Sequence, residues 1–243
     1  MENGKELIRI NKYLAECGVC SRREADLLVD EGKVVINGKT AIRGQKIDGS
    51  EKIVVNNKEI GQKDAKVVLA YYKPVGVTCT QKDKYADKKI SDVFHYDVRV
   101  TYAGRLDKES EGLLIMTNDG DLIDAMMRGK NGHEKEYLIK LNKEITGDFI
   151  KKMEAGVYLE ELDITTKPCK VKQLGKYTCS VILTQGVNRQ LRRMAKALGY
   201  HIRSLKRTRV INIELASLQV GQYREISGNE KKTLYKMCGL EYK

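Results

Sequence analysis

The triplet Arg105-Leu106-Asp107 lies just before a short apolar run and has the features of a catalytic loop. The run from Gly112 to Thr117 is followed by an Asn-Asp-Gly turn and predicts a buried strand. A sheet would hold Asp107 on a short loop, and such loops often carry the reacting group of an enzyme. A carboxylate placed in this way can attack a sugar carbon or an activated ring. For the triplet alone, a surface Arg-Asp pair beside an edge strand is the commoner structure.

A tyrosine and two adjacent arginines are further candidates for chemistry. Tyr137 alternates with Glu136 and Leu138 on a predicted strand, so its ring faces the opposite side of the sheet from both neighbours. An aromatic ring there can stack on an extruded base, although the commoner role of a strand tyrosine is in the core. Arg192 and Arg193 are adjacent on a predicted helix and point in different directions. One can therefore orient a carboxylate while the other contacts phosphate.

Four segments of the chain have the order and spacing of one known architecture. They are Lys73–Gly76, Gly104–Gly120, Lys135–Tyr137 and Gly186–Met194. Together they resemble the motifs of RNA pseudouridine synthases, and more narrowly those of the RsuA/RluB/RluF branch, whose members modify ribosomal RNA. Any one segment is weak support, whereas four in the right order identify the family.

The resemblance covers nearly the whole chain, from Ile8 to about Cys238. It is closest to the RluF type, through Arg9–Tyr13 and Arg207–Arg209. It implies a catalytic domain with a mixed, mainly antiparallel sheet and an active cleft across the middle of that sheet.

The resemblance also implies roles within the active site. Asp107 is the implied nucleophile, Tyr137 meets the target base, and Arg192 is the arginine partner of the aspartate. A nearby guanidinium favours the ionised carboxylate and can orient it through paired hydrogen bonds. The alternative for Arg192 is phosphate binding alone. Whether Asp107 attacks the ribose, attacks the uracil ring or assists a glycal route stays open.

Pseudouridine forms when the bond from ribose to uracil N1 breaks, the base turns and it rejoins through C5. No electron is transferred and no group is imported, so we expect neither a cofactor nor a metal. A uridine in folded RNA must first leave its stack, which costs roughly a few kcal/mol. Four further residues are expected to bind RNA around the flipped nucleotide. They are Arg105 at the RNA backbone, Leu191 beside the base pocket, and Arg189 and Arg193.

The distribution of charge favours a polyanionic partner. The 243 residues carry a formal net charge of +12. The stretch from Ile164 to Ile213 contains no Asp or Glu, although a solvated face normally mixes both signs. A field of one sign suits binding to RNA phosphates. The cations of this stretch are Lys167, Lys170, Lys172, Lys176, Arg189, Arg192, Arg193, Lys196, Arg203, Lys206, Arg207 and Arg209.

Residues 1–60 are predicted to form a small separate module. A helix from Ile10 to Glu16 is followed by a second helix, where Ser21 and Glu24 have capping-box spacing. Short strands and an Asn37-Gly38 hairpin turn complete a pattern that resembles the alpha-L RNA-binding motif. Arg22 and Arg23 at the start of its second helix are expected to meet phosphate, the alternative being an ordinary solvated charged helix. The residues that could extend this basic patch are Arg9, Lys12, Lys33 and Lys39.

Residues 61–66 are polar and form a predicted linker, and residues 67–243 form the predicted catalytic domain. Strands interleaved with a few helices indicate an α+β fold. The predicted strands are Val67–Tyr72, Leu113–Thr117, Lys135–Leu141, Thr178–Thr184, Ile202–Lys206 and Val210–Leu215. The predicted helices are Asp121–Met127, Asp148–Glu154, Arg189–Leu198 and Glu230–Cys238.

Other classes of protein receive less support. No apolar run approaches the ~20 residues that span a bilayer, and the first residues lack the apolar core of a signal peptide, so we expect a cytoplasmic protein without membrane contact. Cys17 and Cys20 have redox or metal spacing, but no second pair or nearby His completes a site. The alternative of a non-catalytic RNA-binding or ribosome-assembly protein is disfavoured by the set of Asp107, Tyr137 and Arg192. We expect a monomer that acts on large-subunit ribosomal RNA, with a small-subunit site or a tRNA stem-loop left open.

Overall fold

The structure is a computed structural model of the chain and describes residues 7–80 and 87–242. The chain divides into two compact units. The first comprises the residues up to Lys66 together with Asp97–Arg99, and the second comprises Val67–Tyr96 and Val100–Lys243. Each unit encloses apolar core residues of its own.

The described part of the first unit contains two short helices. Helix α1 spans Ile10–Glu16 and helix α2 spans Arg22–Asp30. The capping box predicted at Ser21 is confirmed, since the Glu24 N–H donates to Ser21 Oγ (3.3 Å) and the Ser21 N–H donates to the Glu24 carboxylate (2.9 Å). These two bonds satisfy donors that the start of a helix leaves unpaired.

From residue 7 onward, six short strands complete the first unit. Four form an antiparallel sheet in the order β3-β2-β5-β6, and β1 pairs with β4. Asn37 and Gly38 have φ values of 49° and 80°, as the predicted two-residue hairpin turn requires. Gly61–Lys66 contains neither helix nor strand, and within it Lys63 forms an ion pair with Glu16 (2.7 Å). The strands are β1 Ile8–Arg9, β2 Val34–Ile36, β3 Lys39–Thr40, β4 Lys46–Ile47, β5 Ile53–Val55 and β6 Lys58–Glu59.

The second unit is built on a large sheet with helices around it. Its strands are β7 Val68–Lys73, β8 Thr101–Ala103, β9 Glu111–Thr117, β10 Lys135–Leu141, β11 Tyr158–Leu159, β12 Ile164–Thr165, β13 Lys170–Gly175, β14 Thr178–Leu183, β15 Ile202–Val210, β16 Ile213–Glu214 and β17 Tyr223–Glu225. Its helices are α3 Ile90–Val93, α4 Gly120–Met127, α5 Gly147–Ala155, α6 Gln190–Ala197 and α7 Gly228–Met237. None of the helices in the described ranges is long and apolar enough to cross a bilayer.

The sheet runs in the order β13-β14-β10-β15-β9-β7-β17, with β8 on β9 and β16 on β15. Strands β9 and β15 are parallel, and the other neighbours described in this sheet are antiparallel. This arrangement confirms the α+β fold with a mixed, mainly antiparallel sheet. Strands β11 and β12 form a separate two-stranded hairpin.

The parallel pairing brings two backbones unusually close at the start of β9. Gly112 lies opposite Arg207 and has a φ of 108°. A Cβ at this position would lie 2.3 Å from the Arg207 carbonyl oxygen, so glycine is required here. The approach fixes the loop that precedes β9 against β15.

The structure corrects the predicted elements around α6 and β15. The predicted strands Ile202–Lys206 and Val210–Leu215 become one long strand and the short β16, because the chain reverses at Ile211, whose φ is 57°. Helix α6 begins at Gln190 rather than at Arg189, whose φ of 53° is not helical. The patterns also missed α3 and the short or polar strands β8, β11, β12, β13 and β17, which lack a long apolar period.

Candidate active site

Asp107 lies in the loop between β8 and β9, and its side chain is 31% exposed. Its neighbour Leu106 is buried in an apolar cluster of β7 and β9, whereas Arg105 is exposed. The leucine therefore anchors the loop and leaves the aspartate accessible to a substrate.

Lys73, the last residue of β7, holds this loop through its backbone. The ammonium is fully buried and donates to the carbonyl oxygens of Pro74 (2.9 Å), Asp107 (3.2 Å) and Ser110 (2.8 Å). Burial lowers the pKa of Lys73, and the nearby Asp107 carboxylate opposes part of that change. Three donors thus meet three carbonyls, and two of these carbonyls belong to the candidate catalytic loop.

Arg207 of β15 holds the same loop at its other end. The residue is 2% exposed, its Nε donates to the Leu113 carbonyl (2.7 Å), and its Nη1 donates to the Arg105 carbonyl (3.3 Å). Its Nη2 is buried and has no hydrogen-bond partner among the described residues. Two buried cations, Lys73 and Arg207, therefore fix the backbone on both sides of Asp107.

The sequence predicts a pair between Arg192 and Asp107, and the structure corrects this contact. Arg192 Nη2 donates to the Glu109 carbonyl (3.1 Å), and Nη1 donates to the Ile202 carbonyl (3.2 Å). Among the described residues, the cation paired with the Asp107 carboxylate is instead Arg189, whose Nη1 lies 4.0 Å from Oδ2. Arg192 thus contacts the backbone of the loop, and Arg189 contacts its carboxylate.

An unusual backbone conformation explains why Arg189 reaches the loop. It is the N-cap residue of α6, with φ 53° and ψ 31°, a left-handed conformation that non-glycine residues seldom adopt. Its guanidinium donates to the Glu109 carboxylate (2.8 Å), and this bond lowers the pKa of Glu109. Motif spacing gave no signal for this conformation, so sequence reasoning assigned Arg189 to RNA binding alone.

Tyr137 lies on β10 and packs against two apolar clusters, one around β14 and α6 and one around β7 and β9. The pairing of β10 with β15 changes register beside it. Glu136 faces Arg209, whereas Tyr137 faces Arg207, so Thr208 is the extra residue of a β-bulge. Bulges of this kind re-aim a side chain and are common next to active sites.

The other face of β10 carries a charged network at the same position. Glu136 accepts hydrogen bonds from Arg209 Nε (3.2 Å) and Ser180 Oγ (2.7 Å), and Arg209 Nη2 donates to Glu134 (3.0 Å). The network ties β10 to both neighbouring strands at the bulge. Arg209 is therefore engaged within the protein.

One cavity of about 290 Å³ is bordered by these elements. Its volume is near the lower end of the ~300–1,000 Å³ range of ligand pockets. A cavity of this size can hold a single nucleoside but not a segment of double-helical nucleic acid. The cavity brings together six of the predicted site residues and excludes Arg193, which lines a neighbouring groove. The six are Arg105, Asp107, Tyr137, Arg189, Leu191 and Arg192.

His133 and Lys135 also line the cavity, although sequence reasoning did not single out either side chain. Burial lowers the pKa of both residues. His133 Nε2 is buried without a hydrogen-bond partner in the described parts of the chain. The sequence feature that could have identified them is the Lys135–Tyr137 motif, because His133 lies just before it and Lys135 is its first residue. A neutral imidazole and a partly buried ammonium thus border the cavity beside Tyr137.

The predicted phosphate contacts of the first unit lie at the starts of its helices. Arg22 and Arg23 are the first two residues of α2, and Arg9 is the N-cap residue of α1. Lys12 follows on α1 and pairs with Glu16 (3.8 Å). The backbone N–H groups and dipole of a helix N-terminus favour an anion at such positions.

Comparison with known proteins places the chain in a family. Residues 67–197 match the RNA pseudouridylate synthase family, and residues 8–59 match the S4 domain. The chain is 41% identical to the dual-specificity RNA pseudouridine synthase RluF of Escherichia coli (strain K12), over 95% of this chain and 79% of that protein. It is 37% identical to the ribosomal large subunit pseudouridine synthase B of Bacillus subtilis (strain 168), over 93% of this chain and 95% of that protein.

A solved structure agrees with these matches. The crystal structure of a pseudouridylate synthase aligns with a TM-score of 0.69 at 26% identity, covering 93% of this chain and 99% of that chain. The family predicted from the four motifs is therefore confirmed. The chain belongs to the RNA pseudouridylate synthase family, within its RsuA/RluB/RluF branch, and is an isomerase with an N-terminal S4 domain.

Proposed function

We propose that the protein converts a specific uridine of ribosomal RNA to pseudouridine, with Asp107 as the nucleophile. The observation that carries the proposal is the Asp107 loop, where an accessible carboxylate borders a nucleoside-sized cavity while Lys73 and Arg207 fix the backbone. A reacting group must be held in place for efficient attack, and buried donors on the loop provide that constraint.

The isomerisation balances without a further reactant. A flipped uridine enters the cavity, and the Asp107 carboxylate forms a transient bond to the ribose or the ring, or assists a glycal route. The bond from C1′ to N1 breaks, the base turns, and a bond from C1′ to C5 forms. The bond to Asp107 breaks as C1′ bonds to C5 where the ribose was attacked, or as C5 loses its proton where the ring was attacked. In every route the C5 proton leaves and N1 gains a proton, so the free carboxylate is restored.

The remaining site residues receive supporting roles in the proposal. Tyr137 stacks on the uracil, and its hydroxyl takes part in removing the C5 proton. Leu191 packs beside the base, and Arg192 positions the loop through the Glu109 carbonyl. Arg105 and Arg189, both exposed, contact the RNA backbone near the flipped nucleotide.

We further propose that residues 1–60 anchor the RNA through Arg9, Lys12, Arg22 and Arg23. Residues 61–66 then connect this module to a catalytic domain of residues 67–243. Supporting this division, the S4 match ends at residue 59 and the synthase match begins at residue 67. Helix N-termini rich in arginine provide both the dipole and the donors that phosphate needs.

Large-subunit ribosomal RNA is the proposed target, acted on by a cytoplasmic monomer. The support is that one relative is named as a large-subunit synthase and another as a dual-specificity RNA enzyme. A tRNA stem-loop is the second candidate substrate, since one relative is named a dual-specificity RNA pseudouridine synthase.

The direct test is pseudouridine mapping on total RNA from cells with and without the gene. We expect the loss of one or a few pseudouridines in large-subunit ribosomal RNA, restored by the wild-type protein but not by Asp107→Asn. Identical maps of ribosomal RNA and tRNA in the two strains would contradict the proposal.

A further inference from the structure

A groove of about 320 Å³ lies along α6 next to the active cavity. The two share Arg189 and Arg192 in their linings. Arg193 and Lys196 also line the groove, and because they are three residues apart on α6 they lie on one face of the helix. The groove is therefore a cationic surface that continues from the catalytic site.

A carboxylate of the protein itself is paired with Arg193 and Lys196. Glu161 lines the groove and forms ion pairs with Arg193 Nη1 and with Lys196 Nζ (3.3 Å for the latter). Its side chain is 58% exposed, so the contact is a surface contact rather than part of the core. Exposed ion pairs are weak, and their partners exchange at little cost.

The carboxylate is presented by the tip of the β11–β12 hairpin. Glu160–Leu162 forms a 3-10 turn at the tip, and Asp163 follows with a φ of 50°. Leu159, just before the turn, is buried in the same apolar cluster as Leu191 and Met194 of α6. The hairpin is therefore packed on α6, while Glu161 itself stays at the surface over Arg193 and Lys196.

The chemistry of the groove matches an RNA backbone. Guanidinium and ammonium groups donate to a phosphodiester in the way they donate to a carboxylate. The cations of α6 belong to the stretch Ile164–Ile213, which has no acid of its own, and Glu161 pairs with two of them from just outside that stretch. When a flipped nucleotide of an RNA strand is bound in the cavity, the nucleotides on either side of it must lie on the surfaces next to the cavity, and the groove is one of these surfaces.

We propose that Arg193 and Lys196 form a binding site for an RNA phosphodiester and that Glu161 occupies this site until RNA displaces it. The proposal rests on the proposed function, because it takes RNA as the ligand. It adds a phosphate site and an internal competitor for it. Each RNA that engages this site must break the ion pairs of Glu161, which reduces the affinity of the free enzyme.

The test compares Glu161→Gln with Glu160→Gln. Glu160 is the neighbouring residue on the same turn, is exposed, and has no ion pair within the described ranges, so both variants change the net charge equally. Binding to a large-subunit ribosomal RNA transcript is measured at several salt concentrations, with thermal melts to confirm folding. We expect Glu161→Gln to bind roughly two- to fivefold more tightly than Glu160→Gln, the gain that removal of an exposed ion pair allows.

The same measurement in an Arg193→Ala/Lys196→Ala background decides whether the effect acts through the groove. There, Glu161→Gln is expected to give no gain, and the salt slope is expected to fall by ~0.7–0.9 for each lost phosphate contact. Equal affinities for the Glu161 and Glu160 variants, or a gain that persists in the double variant, would overturn the inference.

Pseudouridine formation on the same transcript separates this inference from the proposed function. Tighter binding by Glu161→Gln without any product from the wild type would support the phosphate site and contradict the enzyme's proposed target. Normal product with no difference between Glu161→Gln and Glu160→Gln would leave the proposed function intact and reject the site.

Discussion

Two groups of cations in the catalytic unit differ in what they bind. Lys73 and Arg207 are buried and donate to backbone carbonyls of the Asp107 loop. Arg189 and Arg193 have side chains that are 40% and 24% exposed, and both pair with carboxylates. A cation that donates to a buried carbonyl cannot leave without exposing that carbonyl to an unpaired state, which costs free energy. A cation paired with a surface carboxylate can release it and bind a phosphate at little cost. Arg193 also donates to a backbone carbonyl, that of Asn188, but this contact is exposed. Burial together with the partner, rather than charge alone, therefore separates the cations that hold the Asp107 loop from those proposed to bind RNA.

Arg192 lies between these two groups. Like the buried cations it donates to carbonyls, those of Glu109 and Ile202, yet it is only partly buried and lines both the cavity and the groove. The family resemblance assigned it to the Asp107 carboxylate. In the structure it contacts the backbone of the Asp107 loop rather than the Asp107 carboxylate.

The largest expected difference is in the free energy of unfolding, when a buried arginine and an exposed arginine are each replaced by methionine. Arg207→Met removes the donors to the buried Leu113 carbonyl and the partly buried Arg105 carbonyl, at ~1–3 kcal/mol for each carbonyl left unpaired, so we expect the free energy of unfolding to fall by roughly 1–6 kcal/mol and activity to be lost. Arg193→Met removes an exposed ion pair and an exposed hydrogen bond to the Asn188 carbonyl, which water can replace, and the expected loss is below ~1 kcal/mol. Urea denaturation of both variants measures the difference. Similar losses in the two would remove the distinction between buried and exposed cations.

Tyr137 is held by packing rather than by charge, so Tyr137→Phe isolates the chemistry of its hydroxyl. Phenylalanine keeps the aromatic face, and we expect unchanged melting temperature and RNA affinity. Loss of a proton-transfer group typically costs ~10²–10⁴-fold in rate, and a bound intermediate already rejoined through C5 should accumulate. Tyr137→Ala should also weaken binding, by ~1–3 kcal/mol for the lost stack.

Single-turnover kinetics and binding of both tyrosine variants give the comparison. Wild-type turnover by Tyr137→Phe would reduce the residue to a stacking platform. Full activity of Tyr137→Ala would show that the residue belongs to the core and that the active site lies elsewhere.

Arg192→Ala tests the intermediate case. Loss of the Glu109 and Ile202 contacts should let the loop shift, and small misplacements of a reacting group can cost ~100-fold. Because the defect is one of position, raising the pH should not restore the rate. The measurement is a pH profile of single-turnover rates for variant and wild type. Recovery at alkaline pH with an unchanged wild type would mean that Arg192 only tunes ionisation.

Glu109→Gln is expected to have the smallest effect. The hydrogen bond from Arg189 lowers the pKa of Glu109, so this pair adds stability above the ordinary Glu pKa and loses it as the pH falls through the lowered value. The pair is exposed, and its contribution at neutral pH should stay below ~1 kcal/mol. Denaturation curves of wild type and variant should therefore differ slightly at pH 7 and converge in acid. A gap that widens on acidification would contradict this assignment.

Local patterns predicted much of the fold because their physics is local. The capping box needs only Ser21 and Glu24 at the right spacing, and α1 and β10 have the bounds that apolar periodicity predicts. The motif order also identified the family. Elements such as β13 were missed because most of its side chains are exposed and give no apolar pattern.

The site was less predictable because its key features depend on tertiary contacts. Arg207 belongs to an acid-free stretch that indicates a phosphate-binding surface, yet its side chain is buried against β9. That burial follows from the close approach of Gly112, which pairing between distant strands creates. The left-handed backbone of Arg189 has no residue-type signal either, since the position is not glycine or asparagine.

The most direct test of the central claim is pseudouridine formation by Asp107→Asn on a ribosomal RNA transcript. The amide has the shape of the carboxylate and leaves the carbonyl contacts from Lys73 in place, so folding and RNA affinity should match the wild type. As a much poorer nucleophile, it should yield no pseudouridine above background in a single-turnover assay. Product at a rate near that of the wild type, from well-folded variant protein, would contradict Asp107 as the nucleophile.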